Sequence, residues 1–183
     1  MEARKHGTPM DPPVKPAERL TAFGTQLIDV HLWLREELAR LRRDVDAHLA
    51  GRADRPRELR THCLAFCSVL ERHHTGEDGG AFPALAGHFP ELRPVLQELS
   101  RDHRQVSEIL HRLQELLDGL GTIEPRRVRA ELDGLAALLE SHFTYEERKI
   151  VAALDALNVP GWTLSPPGFL LTTAPGGQDG EPA

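Results

Sequence analysis

Four stretches of this chain carry apolar side chains at alternating steps of four and three residues, and each run is interrupted at one level by a histidine. The first reads Leu27, His31, Leu34, Leu38, Leu41, Val45. The second reads Leu59, Cys63, Phe66, Leu70, His73, Glu77. The third reads Leu92, Leu96, Leu99, His103, Val106, Leu110, Leu113, Leu117. The fourth reads Val128, Leu132, Leu135, Leu139, His142, Glu146, Ile150. This spacing places each set on one face of an α-helix. Four such faces remove the most apolar surface from water by packing together, so the expected fold is all-α, an antiparallel up-down-up-down four-helix bundle.

Breakers set the limits. Helix one is expected from about Ala17 to Ala50, with Gly51 as the residue that ends it. Helix two opens near Asp54–Pro56 and runs to about His74, where Gly76 and the Gly79-Gly80 pair interrupt the pattern. Helix three starts between Pro90 and Pro94 and ends near Gly119–Gly121. Helix four runs from Pro125 to about Leu157. Residues 1–16 read as a disordered tail, 17–158 as the bundle, and 159–183 as a Pro/Gly-rich tail on which Trp162 could still dock.

In an up-down-up-down bundle, residues at one height are equidistant from the turn between their helices. The midpoint of 31 and 73 is 52, that of 73 and 103 is 88, and that of 103 and 142 is 122.5. All three fall in expected connections, so His31, His73, His103 and His142 belong to one layer. His73 with Glu77, and His142 with Glu146, are pairs at i,i+4 and share a helix face. A buried carboxylate without a partner is costly, so two of them beside four imidazoles call for a cation. Imidazole with carboxylate suits iron, manganese or zinc rather than calcium, and two carboxylates able to bridge suit two ions better than one. The candidate metal ligands are therefore His31, His73, Glu77, His103, His142 and Glu146. His74 is a rival to His73, lying about 60° around the helix from Glu77 against about 40° for His73.

His31 followed by Leu-Trp-Leu-Arg, the run His73-His74-Thr-Gly-Glu77-Asp78 leading to Phe82-Pro83, Asp102-His103, and His142-Phe-Thr-Tyr-Glu146-Glu147 together resemble the hemerythrin-like, or HHE cation-binding, proteins over about residues 25–157. The resemblance implies a four-helix bundle with two non-heme iron ions. It also implies a small-molecule ligand such as oxygen, peroxide or nitric oxide. Oxygen-carrying members place a second histidine four residues after the first on the third helix, where this chain has Ser107, and their fourth-helix carboxylate sits where this chain has Glu147. One imidazole fewer leaves a coordination position open, which favours reactivity over simple carriage. Three functions follow from the resemblance: a di-iron protein acting on a small oxidant, with peroxide decomposition among its activities; a non-catalytic metal-binding or redox-sensing module working through a partner; and a di-iron oxygenase-type biosynthetic enzyme.

A formal charge of −6 offers no basic face for nucleic acid. No apolar run is long enough to cross a membrane, and the polar N-terminus lacks the apolar core of a secretory signal, so a cytoplasmic location is expected. Cys63 and Cys67, four apart on one helix face, read as reduced core residues. His6, His48, His62, His88 and His111 lie off the layer and read as surface or packing residues. The layer lies about 20 residues, or about 30 Å, from the first turn. The connection Thr75–Pro90 therefore crosses near it. That connection reads either as a lid, with flexible glycines and Phe82 and Phe89 as plugs, or as a plain connector.

Overall fold

The computed structural model describes residues 23–52, 56–118, 125–159, 161–162 and 167–170. Helices α1 (Phe23–Leu49), α2 (Pro56–Gly76), α3 (Phe82–His88), α4 (Arg93–Asp118) and α5 (Pro125–Ala156) account for most of them, with no strand among the described residues. The expected N-terminal tail, the start of helix one at Ala17, the turn near Thr122 and most of the C-terminal tail lie outside the described residues.

The four long helices α1, α2, α4 and α5 form the bundle. Helix α1 stops where the sequence places its stop. Gly51 has φ 66°, Arg52 N–H donates to the Ala47 carbonyl at 2.9 Å and Gly51 N–H to the His48 carbonyl at 3.0 Å. This is the left-handed cap that satisfies the last carbonyls of a helix. Proline opens both α2 and α5, where its missing N–H costs nothing.

The connection after His74 differs from the flexible lid considered above. Helix α2 continues through Gly76, widens into a single π-helical turn over Glu77–Ala81, and continues as α3. The Phe82 N–H donates to the Glu77 carbonyl, the five-residue step of a π-turn. Gly76, Gly79 and Gly80 inside a helix cost about 1 kcal/mol each, which burying Phe82 and Leu85, at about 1.5–3 kcal/mol each, is enough to offset. The chain then reverses at Phe89 and a short 3-10 turn, Pro90–Leu92.

Two apolar cores result, one on each side of the histidine layer. The larger contains Leu34, Leu38, Leu41, Phe66, Leu70, Leu110, Leu135 and Phe143. The smaller contains Leu27, Phe82, Leu99, Ile150, Leu154 and Phe169, with Trp162 packed against it. Trp162 and Phe169 come from the stretch that composition assigns to a tail, so part of that stretch completes the core at the end of the bundle nearest the layer. No helix among the described residues is long and apolar enough to cross a membrane.

Candidate metal centre

Each bundle helix turns donor atoms toward one point. Helix α1 supplies His31, α2 supplies His73 and His74, the π-turn that follows it supplies Glu77, α4 supplies His103, and α5 supplies His142 and Glu146, all of them buried. His31 Nε2 lies 3.2 Å from His73 Nε2, and His103 Nε2 lies 3.2 Å from His142 Nε2. Each carboxylate reaches both pairs. Glu77 Oε1 is 3.3 Å from His73 Nε2 while its Oε2 is 3.5 Å from His103 Nε2. Glu146 Oε2 is 3.5 Å from His31 Nε2 and 3.4 Å from His142 Nε2. The donors fall into sets whose ligand atoms lie within 4.8 Å of one another: His31, His73 and Glu77; His74, His103 and His142; and Glu77, His103 and Glu146.

The far side of each ring explains why Nε2 faces inward. His31 Nδ1 donates to Glu147 Oε1 at 2.9 Å, and Arg35 Nη1 holds that same oxygen at 2.9 Å. His73 Nδ1 donates to the Phe169 carbonyl at 2.7 Å. His142 Nδ1 donates to Asp102 Oδ2 at 3.3 Å. His103 Nδ1 lies 3.1 Å from Asp78 Oδ2, and Ser100 Oγ donates to Asp78 Oδ1 at 2.6 Å. A ring protonated on Nδ1 has a bare lone pair on Nε2, so the Nε2 pairs confront each other as acceptors. Partners of this kind fix the tautomer of metal-binding histidines.

Both oxygens of Glu77, both oxygens of Glu146, Nε2 of His74 and Nδ1 of His103 are buried without a hydrogen-bond partner. Orphaned groups of this kind are rare in folded proteins, and the set fits cations that take nitrogen and carboxylate oxygen. Titration reflects the same crowding. Burial, the charge of Glu146 and that of Asp78 push the Glu77 carboxyl well above its ordinary range. Burial also works against charge on Glu146, but His142 outweighs it and holds the carboxyl down to about 2. Burial and the neighbouring His31 lower His73 to about 3. Burial opposes charge on His142 too, yet Glu146 and Asp102 raise its pKa.

All six ligands expected from the spacing come together. Glu146 faces the centre and Glu147 turns to His31 and Arg35. His73 and His74 are both buried and fall in different candidate sets. The ring of His74 stacks on His103 at 4.0 Å, and α2 thereby supplies a fifth imidazole that Ser107 on α4 does not. Spacing also missed Phe143, which stacks on His31 at 4.0 Å. Its place beside His142 offered no seam signal. Asp78, Asp102 and Glu147 were visible as acids next to the layer, whereas nothing local pointed to Phe169.

Outside the centre, Cys63 and Cys67 are buried free thiols pushed up to about 12, chiefly by burial, which disfavours the thiolate. His62 pairs with Asp44 and Glu37, and His88 bonds the Ala84 carbonyl.

A family model described as the hemerythrin HHE cation binding domain matches residues 24–154. Searches of curated proteins and of solved structures gave no match.

Proposed function

Because the chain belongs to the hemerythrin HHE cation-binding family, we propose that its histidine layer holds two non-heme irons and meets a small oxidant there: oxygen, peroxide or nitric oxide. The observation that carries this reading is the set of donors with nothing to bind, the four oxygens of Glu77 and Glu146 and Nε2 of His74, among imidazoles whose Nε2 atoms face one another. His31 and His73 would hold one ion and His74, His103 and His142 the other, with Glu77 and Glu146 reaching both. Di-iron carboxylate centres in helix bundles use this combination of inward Glu and His side chains. When bound, an iron pair supplies the electron-transfer chemistry that these side chains lack.

The protein's part is to orient donors and limit water. The Nδ1 partners hold the rings. Phe143 and Phe82 lie flat against His31 and His103, at 4.0 and 5.4 Å. A cavity of about 190 Å³ beside His74, His103, Thr75, Asp78, Val106 and Ser107 gives approach from one side. Sites for drug-sized molecules run about 300–1,000 Å³, so this volume favours a small oxidant over an organic oxygenase substrate.

The test is metal analysis with optical spectra of the anaerobically reduced protein before and after oxygen, peroxide or nitric oxide is added. About two irons per chain and a spectral change with at least one ligand are expected. Exclusive uptake of zinc or manganese, or reduced iron that responds to none of the three, would sink the reading.

A further inference from the structure

The family match ends at residue 154, yet one partner of the histidine layer lies beyond it. The Phe169 carbonyl, in the short turn Gly168–Leu170, accepts the Nδ1 proton of His73 at 2.7 Å across 96 residues of sequence. The Phe169 side chain is wholly buried and meets Trp162 edge-on at 5.7 Å, and Trp162 meets Phe23 of α1 at 5.3 Å. Helix α2 admits this approach because position 76 is glycine. A Cβ there would stand 2.8 Å from the Phe169 backbone nitrogen and 3.0 Å from its Cβ. A side-chain rotation could not relieve that contact, so the segment would have to shift. A Cβ on Gly79 or Gly80 meets nothing within 4 Å.

We propose that Phe169 is a positioning residue for the half of the metal centre formed by His31 and His73. Its carbonyl, held by the docked residues 161–162 and 167–170, fixes the tautomer and ring plane of His73 and so sets the affinity of that half alone. The other rings with an Nδ1 hydrogen bond, His31 and His142, face carboxylates on α5 and α4, which do not depend on this segment. The inference rests on the metal-binding reading above and not on the identity of the oxidant. Coupling of this kind is reciprocal, so an ion bound at His31 and His73 also strengthens docking of the segment.

The test is anaerobic ferrous iron titration against a competing chelator, on the full chain and on four variants. Gly76→Ala displaces the carbonyl, Phe169→Ala removes the side chain that holds it, Phe169→Leu is the conservative rescue, and Gly79→Ala is the control. Gly76→Ala and Phe169→Ala are expected to weaken one of the two iron equivalents about 10- to 100-fold, the usual effect of losing an outer partner of a ligand, and to alter its optical bands. The second equivalent stays as in the parent, Phe169→Leu recovers most of the loss, and Gly79→Ala behaves as the parent does. Amide exchange from Gly168 to Leu170 slows on iron addition in the parent and does not in Phe169→Ala. Equal weakening of both equivalents would mark a general loss of stability and overturn the proposal, as would parent affinity in Phe169→Ala. If Gly76→Ala does not fold, Phe169→Ala decides alone. A parent chain that binds no metal overturns the metal-binding reading itself, a result distinct from parent-like variants.

Discussion

The two halves of the histidine layer use the same residue types and are held in different ways. The His31 and His73 half has two imidazoles, one backed by the Glu147–Arg35 pair and one by a neutral carbonyl from the C-terminal segment. It is closed by Phe143 and by the docked Phe169. The His74, His103 and His142 half has three imidazoles, two of them beside aspartates, and it borders the cavity next to Ser107. The half with fewer donors is thus the more enclosed. Access is set by what packs around a site, and donor number by which helix faces meet.

The largest effect is expected where the halves are joined. Glu77 lies between His73 and His103 and takes up a proton readily when no cation is present, which Gln imitates in shape and charge. Glu77→Gln should lose both iron equivalents, while the metal-free melting temperature moves by no more than about 2–4 °C, equivalent to about 1 kcal/mol. Retention of two irons in this variant would show that the halves are not joined through Glu77.

Splitting the halves should give a smaller loss. His31→Ala with His73→Ala is expected to leave about one iron per chain, and His103→Ala with His142→Ala likewise, each with a different optical spectrum. If either pair abolishes all binding, the centre loads as a unit and the distinction belongs to its surroundings only.

Acid should separate the halves in the metal-free chain. His73 titrates at about 3 in the fold against an ordinary value near 6.5. The unfolded chain therefore takes up a proton that the fold refuses, and stability falls as pH drops from about 6.5 toward 3. His142 is shifted upward, so its contribution is present below about 6.5 and is lost as pH rises through its folded value. Thermal melts in chelator should show a shallower acid decline for His73→Gln. For His142→Gln, the stability difference from the parent should shrink as pH rises. Parallel pH profiles in both variants would remove the electrostatic contrast.

The smallest effect concerns access. Ser107→Leu, which fills part of the cavity, should slow the spectral response of reduced protein to oxygen in stopped-flow mixing by about tenfold, a barrier of about 1.4 kcal/mol, with iron content unchanged. An unaltered rate would move the approach path to the other half.

The bundle and its layer were legible because both depend on local period. Steps of three and four mark a buried face whatever it packs against, and turn positions then fix the height of each histidine. The same rule places Glu146, which continues the seam of Ile150 and His142, on the inner face, where its side chain is buried. It does not separate His73 from His74, because a seam admits one residue per turn. Neighbours about 100° apart can both face inward when the edge between them points at the bundle axis, and the approach of α1, α4 and α5 to α2 decides that. The glycines after His74 misled for a related reason. Read locally they end a helix, but burial of Phe82 and Leu85 offsets their entropy, and Gly76 leaves room for another segment to pass.

By itself the amino-acid sequence determined four amphipathic helices, their order, and a single level at which histidine and glutamate replace apolar side chains, because each of these is written in spacings of a few residues. The tertiary structure alone decided that five imidazoles converge, that one half of the layer is closed and the other bordered by a cavity, and that a carbonyl 96 residues away holds His73. Those features depend on the distance between surfaces that meet only after folding, and a backbone carbonyl, which every residue carries, leaves no mark in sequence.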